Sequence, residues 1–202
     1  MNSRPALACA LMLGLATGCA QVTPRAAAGA ADPALQLISL ADFDHARLAR
    51  AIFDETNRVR AAQGVSPLAP SPALDGAADE QASYMALMLS MQHANPIPGE
   101  RNVAERVAHA GLDASRVGEN LIMMPAQRPA GSAQPNYSYA AFASFLVDKW
   151  MNSPAHRAAM LDPGFTHLGC AARLAHGVRP GDNRVFATQV FLQAPPKGST
   201  KG

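Results

Sequence analysis

Between residues 42 and 63 the apolar side chains recur at helical spacing, with Leu48, Ile52, Glu55 and Val59 on one face, charges around them and Gly64 as a stop. The pattern predicts an amphipathic helix. Ser71-Pro72 then supplies a cap followed by proline at the first helical position, and Leu74, Ala78, Gln81, Met85 and Met88 share one face of a helix running to about Met91. Methionines at this spacing read as core packing rather than as metal ligands. A short helix from Asn102 to Ala110 turns Val103 and Val107 inward and stops at Gly111, and Val117 to Met123 reads as a buried strand. The segment 125–135, rich in Pro, Gly, Ala and Gln, is a surface loop.

Ser138 can cap a helix with Phe142, Phe145, Leu146 and Trp150 on its apolar side, and Ser153-Pro154 repeats the cap-and-proline start for a short helix to about Leu161. The runs 168–174 and 185–192 are both strand-like, joined through Gly177, Pro180, Gly181 and Asp182, so they predict a β-hairpin. Helices, a strand, helices and a hairpin in that order predict an α+β domain with helices packed on an antiparallel sheet.

The ends differ in kind from this middle. Arg4 precedes an almost wholly apolar run from Ala6 to Ala16, then Thr17, Gly18 and Cys19. That run is well short of the ~20 residues that cross a hydrocarbon core, so residues 1–18 read as an export signal. The sequence Ala16-Thr17-Gly18-Cys19 resembles a bacterial lipoprotein signal, which would leave Cys19 as the acylated first residue. Acyl chains there would anchor the protein to a membrane. Ala20 in place of an inner-membrane aspartate signal points to the outer membrane, with the domain facing the periplasm or the surface. Residues 19–38 read as a flexible tether, 39–193 as the folded domain and 194–202 as a frayed tail.

Of three cysteines, Cys9 lies in the signal and Cys19 at its boundary, which leaves Cys170 alone in an apolar run and predicts a buried, inert thiol. A charged fraction of 16% with the signs interleaved, at net +2, offers no cationic stripe for phosphates and excludes nucleic acid as the expected partner. The length suits one domain, expected to act as a monomer.

Several local strings point to one family. Gly118-Glu119-Asn120-Leu121 and Trp150-Met151-Asn152-Ser153-Pro154-Ala155-His156-Arg157 closely resemble the bacterial branch of the SCP-like, or CAP, family (cysteine-rich secretory proteins, antigen 5, pathogenesis-related 1). Phe165-Thr166-His167-Leu168-Gly169, His93 after the second helix and Gln189 in the last strand are similar to further stretches of that pattern, and the resemblance covers about residues 52–192. It implies an α-β-α sandwich with a small antiparallel sheet between helical layers and an open cleft where His93, Glu119 and His156 converge, supported by Asn120, Ser153 and Gln189. Two imidazoles and a carboxylate can hold a divalent ion such as Zn²⁺. The same trio can equally be a hydrogen-bonded cluster without metal.

The acidic residue that eukaryotic members carry three places after the tryptophan is Ser153 here, Asp148 reads as a solvated helix residue, and the family's disulfides are absent, so sterol and lipid binding carries over weakly. His45, His109 and His176 read as surface residues, and His167 stands outside the site. There is no Gly-x-Ser-x-Gly elbow and no His-Glu-x-x-His helix, and Ser153 reads as a cap whose oxygen is occupied. The expected function is an envelope protein whose cleft binds a small ligand or a divalent metal without chemistry. The alternatives are a metal-dependent hydrolase, protease or esterase, and a structural or partner-binding envelope protein.

Overall fold

Four helices begin at a polar side chain that accepts a free backbone N–H. Asp44 takes Arg47 N–H at 2.9 Å ahead of α1 (His45–Ala62), and Ser71 takes Leu74 N–H at 3.3 Å ahead of α2 (Pro72–Met88). Asn102 takes Glu105 N–H at 3.0 Å ahead of α3 (Val103–His109), and Ser138 takes Ala141 N–H at 3.2 Å ahead of α4 (Tyr139–Met151). Helix α5 (Pro154–Leu161) corrects one expectation: Ser153 occupies the cap position, yet its hydroxyl makes no cap bond and its carbonyl accepts Arg157 N–H at 2.8 Å instead. These elements belong to a computed structural model that describes residues 32–177, 179 and 181–196. The signal, Cys19, the tether through residue 31 and residues 197–202 of the expected tail lie outside that range.

Four strands form one sheet in the order β1-β3-β4-β2: β1 (Ala69–Pro70), β2 (Arg116–Pro125), β3 (His167–His176) and β4 (Asn183–Gln193). The predicted hairpin is β3 with β4, and β2 pairs antiparallel with β4 along its other side. The unpredicted β1 pairs parallel with β3, so the sheet is mixed. Two residues, one of them proline, are too few for any periodicity to register.

Alternation along β4 sorts the core into two layers. Val190 and Leu192 pack with Leu74, Ala78 and Ala82 of α2 and Val107 of α3, while Ala187 and Phe191 pack with α1, α4 and α5 on the other face. The fold is therefore an α-β-α sandwich. Gly169 lets α2 approach β3 closely, because a Cβ there would collide with the Leu74 carbonyl and lie 2.5 Å from Asp75 N on the α2 backbone.

One predicted face, one helix end and one domain boundary shift in detail. The buried face of α1 is Leu48, Ala51, Ile52, Thr56 and Arg60, with Glu55 and Val59 half-buried at its margin. Arg60 is buried because three backbone carbonyls, those of Ser66, Met160 and Asp162, receive its guanidinium. Helix α2 ends at Met88, which is 53% exposed, as the chain turns through Leu89 in the left-handed region at φ 50°. Before α1, Pro33–Leu35 forms a 3₁₀ turn, Ile38 is buried and Leu37 bridges Ser138, so packed structure reaches back into residues read as tether. Cys170 is buried as expected, and burial pushes its thiol well above the ordinary range.

Candidate functional site

Strand β2 is an edge of the sheet, and its alternation sends Glu119 toward the α2–α3 layer and Asn120 toward the α1–α4–α5 layer. The two residues accordingly do different work. Asn120 donates to the carbonyl of His156 at 3.1 Å and to Gln189 Oε1 at 3.0 Å; Gln189 donates to Thr56 Oγ1 at 2.7 Å, and Thr56 donates to the Ile52 carbonyl at 2.7 Å. This fully buried chain ties the start of α5 to β2, β4 and α1. Trp150 Nε1 adds a bond to the Leu121 carbonyl at 3.0 Å. Asn120, Gln189 and Trp150 thus fix the backbone of α5, β2 and β4 around His156.

On the other face, the segment between α2 and α3 carries His93. Buried Gln81 donates to the Gln92 carbonyl, Gln92 donates to Tyr84 Oη at 3.1 Å, and buried Asn95 accepts from Ile97 N–H at 3.0 Å. The loop is held on both sides of His93. The imidazole itself is 64% exposed, and its Nδ1 lies 2.8 Å from Oε1 of Glu119, whose side chain is only 3% exposed. A carboxylate only accepts, so Nδ1 carries the proton and Nε2 is left as the free nitrogen on the solvent side. The second Glu119 oxygen accepts from fully buried Arg106, which also donates to the Glu100 carbonyl at 2.7 Å.

His156 at the start of α5 is half-buried, and burial first, then the neighbouring His93, hold its pKa below the ordinary imidazole value. Both influences favour the neutral ring.

Of the trio expected to converge, His93 and Glu119 are in contact and His156 is close enough to feel His93, but the three donor atoms do not group within 4.8 Å of one another. Both Glu119 oxygens are engaged, which makes it the group that orients His93. A tighter grouping went unread in the sequence: Glu80, Glu100 and His109 place one donor atom each within 4.8 Å of one another. Burial first, then the Glu100 carboxylate, hold the Glu80 carboxyl above its ordinary value. His109, expected to be a bare surface residue, is exposed but sits 3.4 Å from Glu80. Arg106 was missed as well, although its place between Val103 and Val107 on an inward face signals a buried cation.

The remaining histidines have partners other than His93 and Glu119. His45, expected on the surface, is half-buried, with Nδ1 donating to the Ala172 carbonyl at 3.1 Å. It lines a cavity of about 420 Å³ between α1, α2 and β3, together with Phe53, Asp75, Cys170 and Arg173. His167 pairs with Thr166 at 2.8 Å and His176 with Asn183 at 2.6 Å. Asp148 is exposed on α4, as a solvated helix residue should be.

Comparison with known proteins agrees with this architecture. The model of the cysteine-rich secretory protein (CAP) family matches residues 53–191. An extracellular protein containing an SCP domain from Bacillus anthracis superposes with a TM-score of 0.54 at 21% identity, over 74% of this chain and 41% of that one. An outer surface protein from Borrelia burgdorferi superposes with a TM-score of 0.55 at 15% identity, over 76% of this chain and 97% of that one. A search of curated proteins gave no match.

Proposed function

The chain belongs to the cysteine-rich secretory protein (CAP) family, and from that premise we propose that it is an exported cell-envelope protein whose cleft binds a divalent ion or a small ligand through His93 and His156. One observation carries the reading. A buried carboxylate, itself clamped by a buried arginine, holds the Nδ1–H of an exposed imidazole and leaves Nε2 as a fixed outward acceptor. Carboxylate–imidazole pairs of this kind orient metal-binding and ligand-binding nitrogens. His156 at the start of α5, whose pKa is lowered by burial and by the neighbouring His93, would supply a second nitrogen. An ion held by two imidazoles would keep open positions for a small ligand.

Export and anchoring are part of the proposal. The start of the chain has the pattern of a lipoprotein signal with Cys19 at its boundary, and the two solved relatives described above are extracellular and outer-surface proteins. Cys19→Ser is expected to abolish acyl labelling and release the protein from membranes; unchanged fractionation would remove the anchor from the account.

The same His93–Glu119 pair has the form of an oriented general base, which keeps a hydrolase as the second reading. Casein and ester panels run with and without chelator, on wild type and His93→Ala, separate the two. A chelator-sensitive rate that disappears in His93→Ala would replace binding with catalysis. Binding expects no such rate, together with zinc affinity that falls in both His93→Ala and His156→Ala. Zinc affinity unchanged in both variants would refute the cleft as an ion site.

A further inference from the structure

Glu80 on α2, Glu100 in the 89–102 segment and His109 at the end of α3 come from three separate pieces of chain, yet their donor atoms all lie within 4.8 Å of one another. His109 Nδ1 and Glu80 Oε1 are 3.4 Å apart, longer than a good N–H···O hydrogen bond. Two ligands on one tetrahedral ion with bonds of about 2.0–2.1 Å sit roughly 3.4 Å apart, so the spacing suits a shared cation better than a donor–acceptor pair. Glu80 Oε2 is buried without a hydrogen-bond partner, a costly state for a carboxylate oxygen. Among the described residues, neither carboxylate has an arginine or lysine within ion-pair distance, Arg106 being committed to Glu119 and to the Glu100 carbonyl. An exposed His109 gives the group an entrance from solvent.

We infer that Glu80, Glu100 and His109 form a divalent-cation site, separate from the His93 cleft, that clips α2, the loop bearing His93 and α3 together. Two carboxylate oxygens and one imidazole nitrogen suit Zn²⁺ or Mn²⁺ and leave positions for water. The clip acts on the cleft through bonds already in place. Glu100 Oε2 accepts from Asn95 Nδ2 at 3.1 Å, two residues after His93, and the Glu100 carbonyl accepts from Arg106, which holds Glu119. A cation on Glu100 therefore steadies both the loop and the arginine that orient His93. The site uses none of the cleft's proposed ligands, so it stands or falls apart from the proposed function.

The test is equilibrium dialysis and calorimetry of the full chain with Zn²⁺, repeated with Mn²⁺, for wild type, Glu80→Gln, Glu100→Gln, His109→Ala and the double variant His93→Ala/His156→Ala. The cleft variant is expected to retain one bound equivalent. Each of the other three should lose that equivalent or bind it at least tenfold more weakly, and Zn²⁺ should raise the melting midpoint of these three less than that of wild type. The glutamines keep size and shape, and circular dichroism checks that each variant is folded. If one does not fold, the two remaining substitutions decide. Stoichiometry and affinity unchanged in both Glu→Gln variants would overturn the site, as would binding that responds to His109→Ala alone, which marks a surface histidine only.

Discussion

Replacing Glu119 with alanine is the most informative single perturbation of the cleft. The carboxylate is 3% exposed and its partner Arg106 is fully buried, so the substitution leaves a guanidinium in the interior without its anion and frees His93 at the same time. Breaking one side of a buried ion pair costs about 3–5 kcal/mol, mostly for stranding the remaining charge. For a protein of this size each kcal/mol moves the melting midpoint by about 2–4 °C, so a fall of roughly 6–20 °C is expected. Glu119→Gln keeps a carbonyl acceptor and should cost less. Arg106→Met placed on top of Glu119→Leu removes both charges and should recover much of the loss, giving a coupling of about 1–3 kcal/mol. Thermal and urea unfolding followed by circular dichroism measure these variants together with the single substitutions Arg106→Met and Glu119→Leu. A loss below about 1 kcal/mol in Glu119→Ala, or strict additivity in the double variant, would refute the buried clamp.

Three further outcomes follow from particular residues. His156 has a folded pKa below its unfolded value near ~6.5, so the unfolded chain takes up the proton first; its contribution is intact above about pH 6.5 and declines as pH falls below it. Urea midpoints at pH 7.5 and 5.5 should therefore differ less in His156→Gln than in wild type, and an identical difference would count against a neutral His156. Gly169→Ala should destabilise by about 1–3 kcal/mol, because its Cβ meets α2 backbone that cannot rotate away; an unchanged melting midpoint would contradict that packing. Cys170 should react with a thiol reagent slowly in the native protein and quickly in denaturant, and fast native labelling would place it at the surface.

The helices and the hairpin were legible because apolar spacing and cap residues state them locally. Ser71-Pro72 and Asn102 mark starts that the structure keeps to the residue. Strand β1 was not legible, since its two residues carry no period. The motif residues foretold the His93–Glu119 contact but not the division of labour, because which Glu119 oxygen meets which partner depends on the pleat of β2 and on Arg106 of α3. The polar residues at the centre, Thr56, Arg60 and Arg106, escaped a reading that looks for apolar faces, and their burial is explained by partners distant in sequence. Glu80, Glu100 and His109 escaped for the same reason: only the packing of α2 against α3 brings them together.

Long-range ¹H–¹⁵N spectra of the histidine side chains, recorded before and after zinc, test the cleft most directly. His93 is expected as the Nδ1–H tautomer in the free protein, held by Glu119, and its Nε2 and a ring nitrogen of His156 should shift on addition of zinc while His167 and His176 do not. A His93 protonated at Nε2, or Nε2 and His156 signals unmoved at saturating zinc, would contradict it.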